Sequence, residues 1–245
     1  MVVSSTGIAT PSLDALLGER LPLRADCRRL PVFGLGCAGG VMGLARAAQL
    51  ARADPGSNVL LLVVELCALT FRKEDLRKSN VIATALFGDG AAGALVRADA
   101  HAQAPIIGAY GEHRWPNSLD VMGWDVANNG LSVIFSRDIP TIVRRDFGDA
   151  YRAFLAKAGL TGASLDRFVC HPGGAKVIEA LEEVFGLQTG TLRDAREILR
   201  DFGNMSAATV LFVLEKALRE TLPGRTLLSA LGPGFTAAFA VLETA

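Results

Sequence analysis

Between residues 33 and 40 the chain reads Phe33-Gly-Leu-Gly-Cys37-Ala-Gly-Gly40, four glycines around one cysteine. Pro31-Val-Phe33 before it predicts a short buried strand. Val41 to Ala53 after it predicts a helix that is apolar almost all round, with Arg46, Gln49 and Arg52 as a narrow polar stripe. A strand that turns directly into a buried helix restricts the fold to packed layers, and it sets Cys37 at a helix N-terminus. The partial positive charge and free backbone N–H groups there favour thiolate over thiol. Glycine meets the need for unusual dihedrals and for close approach of a substrate to the backbone. On this reading Cys37 is a nucleophile. Two other readings stand beside it. A lone cysteine among apolar residues is an ordinary small core residue. Gly34-Leu-Gly36-Cys-Ala-Gly39 also satisfies G-x-G-x-x-G, the fingerprint of an NAD-binding Rossmann protein, with Glu65 as candidate ribose-binding acid.

Of the 245 residues 50% are hydrophobic, enough to bury a sizeable core, and acids and bases balance at 25 each. Zero formal charge gives no electrostatic footprint for nucleic acid or an anionic membrane. Cys27, Cys37, Cys67 and Cys170 are scattered with no CxxC pair, which suits a reducing cytoplasm and implies neither a disulfide frame nor a zinc site. No run of eighteen apolar residues occurs, and the first residues lack the basic start of a signal peptide. The expectation is a soluble, cytoplasmic protein.

Continuous apolar runs predict strands covered on both faces at Val2-Val3, Val59–Val64, Ala91–Val96, Pro105–Ala109, Phe168–Cys170, Leu227–Leu231 and Ala237–Leu242. Helical patterns alternate with them over Pro11–Leu17, Val41–Ala53, Ile139–Ala158, Lys176–Phe185, Thr191–Arg200 and Met205–Glu220. Alternation of this kind argues for α/β layers. A weak repeat runs through the pattern. Phe33-Gly-Leu-Gly-Cys37 opens one helix and Phe87-Gly-Asp-Gly90 leads into a strand; later Phe202-Gly-Asn204-Met-Ser opens a helix and Gly232-Pro-Gly234 leads into a strand. Two duplicated halves facing each other would bring Cys37 and Asn204 to two helix starts in one pocket. A dinucleotide-binding protein has no reason to repeat in this way.

Of the three histidines, His101 and His113 sit in polar, loop-like sequence and read as surface residues. His171 follows an apolar strand and precedes Pro172-Gly-Gly174, the end of a parallel strand where α/β sheets build their sites. A structural histidine at that spot, and a plain helix cap at Asn204, are the alternatives. Cys, His and Asn together, each between a strand or glycine turn and a helix, form a catalytic constellation.

Gly36-Cys37-Ala-Gly-Gly40, Ala85-Leu-Phe-Gly-Asp-Gly-Ala91, His171-Pro-Gly-Gly174, Gly203-Asn204-Met-Ser206 and Gly232-Pro-Gly234 occur in the order seen in type III polyketide synthases. The chain thus resembles the chalcone and stilbene synthase-like enzymes of the thiolase superfamily, and the bacterial members in Val64-Glu65-Leu-Cys67-Ala-Leu-Thr70 and Met122-Gly-Trp124-Asp. The resemblance implies an α/β thiolase-like fold of two duplicated halves in α-β-α-β-α layers. Residues 1–99 would be the remainder of the N-terminal half with the nucleophile, and residues 100–245 the C-terminal half with His and Asn. It implies an acyltransferase, with Cys37, His171 and Asn204 as catalytic triad and Phe87 as gatekeeper. Ser5, Thr10, Cys67, Thr70, Trp124, Val133 and Ser206 would line the substrate pocket, while Gly173, Gly174 and Lys176 would meet coenzyme A. Acyl-CoA and malonyl-CoA are the implied partners and a homodimer the implied assembly, with no metal or redox cofactor, no nucleic acid and no membrane.

Val133 stands where plant members carry a second gatekeeper phenylalanine, and Trp124 where they carry glycine. A wider mouth points to fatty-acyl starters and alkylresorcinol or alkylpyrone products, with malonyl-primed naphthol formation beside them. At the front, Val2 to Gly7 resembles the second strand of the first half. An N-terminally truncated chain, missing a first strand expected at the centre of the sheet and its helix, would be poorly stable or inactive. Ketoacyl synthase III-like chain initiation on an acyl carrier protein and a non-catalytic truncated paralogue complete the set of readings.

Overall fold

The structure, a computed structural model, describes residues 1–99, 104–128, 130–220 and 222–244. His101 lies outside the described residues. In chain order the elements are β1 (Val2–Val3), α1 (Leu13–Gly18), β2 (Pro31–Val32), α2 (Gly39–Ala53), β3 (Val59–Leu66), α3 (Lys78–Leu86), β4 (Asp89–Val96), β5 (Ile106–Arg114), β6 (Met122–Ala127) and β7 (Gly130–Phe135). There follow α4 (Ile139–Ile142), a π-helical turn (Val143–Phe147), α5 (Gly148–Lys157), β8 (Arg167–Cys170), α6 (Ala175–Phe185), α7 (Arg193–Phe202), α8 (Thr209–Arg219), β9 (Arg225–Gly232) and β10 (Thr236–Glu243).

Two four-stranded sheets carry the architecture. The first has the order β2-β1-β3-β4 and the second β8-β9-β10-β5. In the first, β1 runs parallel to β3 (Val2↔Leu62) and β3 antiparallel to β4 (Leu62↔Gly93). In the second, β8 runs parallel to β9 (Val169↔Leu228) and β9 antiparallel to β10 (Ala230↔Ala238). These triplets are copies of one another, the repeat that the glycine turns announce. Helices α2 and α8 lie between the sheets: α2 touches β3 and β4 on one side and β9 and β10 on the other. That is why α2 is apolar on nearly every face, with Val41, Leu44, Ala47, Ala48 and Ala51 all buried. The α5 segment packs on the far face of the second sheet, where Phe154 stacks on Phe239 at 5.0 Å and Phe147 meets the same ring at 5.4 Å.

Three expectations need correction. Pro31–Val32 is an edge strand and not a buried one, paired on one side with β1 and leaving Phe33 half exposed. The helix expected over 139–158 is broken into α4, the π-turn and α5. The first sheet has no gap at its centre, since β1 hydrogen-bonds directly in register with β3; a strand missing from this sheet cannot be a central one. The β6–β7 hairpin (Trp124↔Val133) and α3 add elements that the apolar runs do not announce. No helix among the described residues is long and apolar enough to cross a membrane.

Candidate active site

Cys37 sits in a single 3₁₀ turn, Gly36–Ala38, that runs straight into α2. Gly36 is required there on two counts. Its φ is +48°, and a Cβ would lie 2.4 Å from Cδ of Pro233 in the β9–β10 turn. The mirrored arrangement holds Asn204, which precedes the 3₁₀ turn Ser206–Ala208 that opens α8. Asn204 is tied to the first half by an isolated bridge to Phe87: its N–H donates to the Leu86 carbonyl (2.8 Å), and Gly88 N–H donates to its own carbonyl (3.0 Å). His171 leaves the end of β8, its N–H bound to the Ser229 carbonyl at 2.8 Å.

The three side chains line one cavity of about 20 Å³, room for a water-sized molecule, with Met122, Phe135 and Phe147 among its apolar walls. The Cys37 thiol donates to Asn204 Oδ1 at 3.9 Å. That oxygen also accepts the Ser206 N–H at 2.9 Å, an Asx turn one residue ahead of the cap position, which Met205 occupies, so Asn204 is not the plain helix cap. This bond fixes which way the amide faces and leaves Nδ2 buried without a partner. Both ring nitrogens of His171, a residue 4% exposed, are likewise unpartnered. Three buried polar atoms without partners around one cavity are costly, and such a cost is characteristic of a site built to receive a polar group.

The resting charge state differs from the expected thiolate. Burial, reinforced by the nearby Glu65 carboxylate, pushes the Cys37 thiol up to about 12, against the lowering by its hydrogen bonds with Ser206 and Asn204. Burial alone pushes His171 down to about 3. The half-buried sulfur loses more hydration in this apolar cavity than the helix end returns, so thiol and neutral imidazole are the resting pair.

Glu65 proves to be the hub of the site. Its carboxylate, fully buried, accepts the Ser5 N–H (3.1 Å) and the Thr6 hydroxyl (2.8 Å), with the Ser206 hydroxyl at 3.5 Å. Ser5 Oγ in turn accepts the Gly36 N–H at 2.6 Å. One carboxylate therefore braces both the cysteine turn and the turn after Asn204, and burial raises its own pKa. This argues against the Rossmann reading: the Glu65 oxygens are taken up by Ser5, Thr6 and Ser206, and of the fingerprint glycines Gly36 is pressed against Pro233 and Gly39 against Val3 and Ala207, which closes the approach a pyrophosphate needs.

The remaining candidates divide. Phe87 meets Trp124 edge-on at 5.9 Å and Phe135 at 6.2 Å, an aromatic cluster beside the cavity. Ser5 and Ser206 belong to the Glu65 network. Buried Cys67, its thiol pushed up by burial, opens a 3₁₀ turn closed by the bond from Thr70 Oγ1 to its carbonyl (2.7 Å). Gly173 lines the cavity, and Gly174 has open space where a Cβ would stand. Thr10 is exposed, before a cis Pro11, and Lys176 is exposed in the first turn of α6; neither reaches the cavity. Val133 is buried but does not line it either. Phe135 does, two positions along the same strand and hence on the same face. That period-two relation was the signal for Phe135. Among the described residues no group of three or more His, Cys, Asp or Glu is placed to hold a metal ion.

Comparison with known proteins places this geometry. The profile of chalcone and stilbene synthases, N-terminal domain, matches residues 1–100, and that of their C-terminal domain matches residues 111–244. A chalcone synthase-like protein of Bacillus subtilis (strain 168) is 46% identical over 96% of this chain and 67% of its own length. A 1,3,6,8-tetrahydroxynaphthalene synthase of Streptomyces peucetius subsp. caesius is 41% identical over 98% of this chain and 65% of its own. The solved 1,3,6,8-tetrahydroxynaphthalene synthase of Streptomyces coelicolor A3(2) superposes with a TM-score of 0.93 at 28% identity, covering 100% of this chain and 70% of that one. The chain thus spans about two thirds of the length of these relatives. Two family profiles in series, with relatives at 46% and 41% identity, favour this family over the ketoacyl synthase III reading: the chain belongs to the chalcone and stilbene synthase family, the type III polyketide synthases.

Proposed function

We propose that this chain is an acyltransferase that loads an acyl group from acyl-CoA onto Cys37 and extends it with malonyl-CoA. One observation carries the reading: Cys37, His171 and Asn204 face one cavity in which both imidazole nitrogens and the Asn204 amide N–H₂ are left without partners. In the loading step the Cys37 proton passes to His171 as sulfur attacks the thioester carbonyl, and CoA leaves as its thiol with that proton. A thiol held near 12 beside an imidazole held near 3 makes this transfer uphill at rest, so it accompanies attack and does not precede it. Malonyl-CoA then loses CO2, and the electron pair of the broken C–C bond becomes an enolate whose oxygen takes hydrogen bonds from His171 and Asn204 Nδ2. Losing one such donor costs about 3–4 kcal/mol of barrier. The enolate carbon attacks the acyl-cysteine carbonyl, sulfur departs, and the chain is two carbons longer. The apolar flank formed by Phe87 favours neutral CO2 over the carboxylate.

The apolar cavity walls suit an apolar starter, giving alkylresorcinols or alkylpyrones. A second reading, malonyl-primed naphthol formation, rests on the names of the two Streptomyces relatives. CoA thioesters supply all the carbon in either case. Intact-protein mass spectrometry after incubation with malonyl-CoA and mixed acyl-CoAs tests both. Acyl mass on the wild-type chain and none on Cys37→Ala supports the proposal, and the mass identifies the starter. No adduct under any mixture leaves the non-catalytic paralogue.

A further inference from the structure

Away from the catalytic cavity lies a second and far larger one, a groove of about 430 Å³ between β5 and α5 that reaches the last turn of α2. Sites for small molecules span roughly 300–1,000 Å³, so the groove has room for one. Its walls are apolar: Ala109 on β5, Ala153 on α5, and the rings of Phe154 and Phe239. The charges on its rim are of one sign. Arg52, in the last turn of α2, and Lys157, in the last turn of α5, both line it, and among the described residues neither forms an ion pair. Arg52 is nonetheless held in place. It donates to the Ile107 carbonyl and, at 3.4 Å, to the Tyr110 hydroxyl, with its guanidinium 5.7 Å from the centre of the tyrosine ring. These partners fix the cation and leave it uncompensated. Glu112, the carboxylate in the lining, is already bound by Arg46 at 2.5 Å, and Glu243, close to Gly108, is bound by Arg225 at 3.0 Å.

We infer that this groove binds a small amphipathic anion, an apolar acyl or aryl body with a single carboxylate or phosphate head. The alanines and the two phenylalanine rings take the body out of water, and Arg52 and Lys157 meet the head. An uncharged apolar molecule leaves both cations unused, and a bare inorganic ion leaves the apolar walls wet. The groove is separate from the catalytic cavity. Cys37 precedes the first turn of α2 and Arg52 stands in its last, about 20 Å further along the helix. The inference therefore stands apart from the acyl-transfer chemistry and survives its failure.

Isothermal titration calorimetry with octanoate, octyl phosphate, octanol and inorganic phosphate tests this. One or both of the octyl anions is expected to saturate a single site per chain, the tighter of the two identifying the head. Octanol and inorganic phosphate should each bind about tenfold more weakly or worse, since each lacks one of the two contacts. Lys157→Glu reverses one rim charge at an exposed position and should weaken the anion about tenfold or more. Ala153→Trp, also at an exposed position, fills the groove and should abolish binding; if that variant does not fold, Lys157→Glu and Arg52→Gln decide. Octanol binding as tightly as octanoate would make the groove a plain apolar patch and overturn the inference. So would the absence of saturable binding by either anion, or an affinity untouched by the variants, which would place the ligand elsewhere on the molecule.

Discussion

The two halves of this molecule start from the same plan and end in different physical states. The second sheet is buried on both faces: β9 and β10 are buried along nearly their whole length, with α2 and α8 on one side and the α5 segment on the other. The first sheet is covered by α2 on one face, while β4 alternates exposed and half-buried residues. The site chemistry divides along the same line. The first half contributes the nucleophile and a buried acid, Glu65; the second contributes a buried base, His171, and the amide of Asn204. One half is thus a finished scaffold and the other a partly open one, and the cavity lies where they meet. Packing completeness and catalytic equipment are therefore separable: the open half still holds its cysteine turn, because Ser5 and Glu65 brace it from within and Pro233 and Ala207 press on it from the closed half.

The largest effect expected from breaking this comparison is in stability. Phe239, 1% exposed and in ring contact with Phe147 and Phe154, fills the core of the closed half. Phe239→Ala should cost about 3–5 kcal/mol by lost transfer energy and cavity formation. Leu95→Ala on β4 should cost no more than about 0.5 kcal/mol, because a surface side chain loses little on truncation. Urea unfolding monitored by circular dichroism measures both. Comparable costs at the two positions would show that the face of β4 is covered in solution and would erase the distinction between the halves.

Much of this was legible in the sequence, for reasons that also mark where legibility ends. Runs such as Leu227–Leu231 and Ala237–Leu242 are apolar at every position because both their faces are buried, so composition alone exposes them. The turn at Gly36-Cys37 was visible because only glycine tolerates its dihedrals and its contact with Pro233. The hairpin of β6 and β7 was missed although Trp124-Asp-Val and Leu131-Ser-Val alternate apolar and polar residues, because a half-buried strand of this kind offers no continuous apolar run. The role of Glu65 depends on partners 59 to 141 residues distant along the chain, a relation no local pattern carries. Strand order fails for a related reason: short parallel strands carry no sequence mark of their neighbours, so a central missing strand was as compatible with the sequence as the continuous sheet observed.

The buried acid and buried base give the two halves opposite responses to pH. His171 is held near 3 when folded against about 6.5 when unfolded, so between those values the unfolded chain binds the additional proton. Its contribution makes stability fall as pH is lowered, by about 2–3 kcal/mol between pH 6 and pH 4, and adds no penalty above pH 6.5. Glu65, raised by burial, has the reverse sign: its contribution is complete below the unfolded carboxylate range and is lost as pH rises through the folded value. Chemical denaturation of wild type and His171→Gln across pH 4–7 isolates the histidine's contribution as the difference between two slopes. Equal slopes would mean that His171 is solvated and charged in the folded protein. Smaller again is the contact between the two middle helices. Gly40→Ala places a Cβ 2.4 Å from the Ala207 carbonyl and 2.5 Å from Val210, so α2 and α8 must separate, at a cost of about 1–3 kcal/mol. A variant of unchanged midpoint would show that the halves are less tightly joined than their crossing implies.

A small effect on stability carries the most information about how one half governs the other. Glu65 raises the Cys37 thiol through its charge and at the same time accepts the bonds that hold Ser5 and approach Ser206. Glu65→Gln keeps the shape and one acceptor but removes the charge, and should cost about 1 kcal/mol, one net hydrogen bond. Its effect on the sulfur has the opposite sense. With the neighbouring negative charge gone, thiolate forms at lower pH, so Cys37 alkylation by iodoacetamide at a fixed pH should accelerate several-fold, with the apparent thiol pKa moving down from a wild-type value well above that of a free cysteine. Stopped-flow alkylation from pH 6 to 10, with peptide mapping to confirm modification of Cys37, measures the shift. If alkylation slows instead, the bracing of the Gly36 and Ser206 turns outweighs the charge, and Glu65 acts on the cysteine by placing it and not by its field.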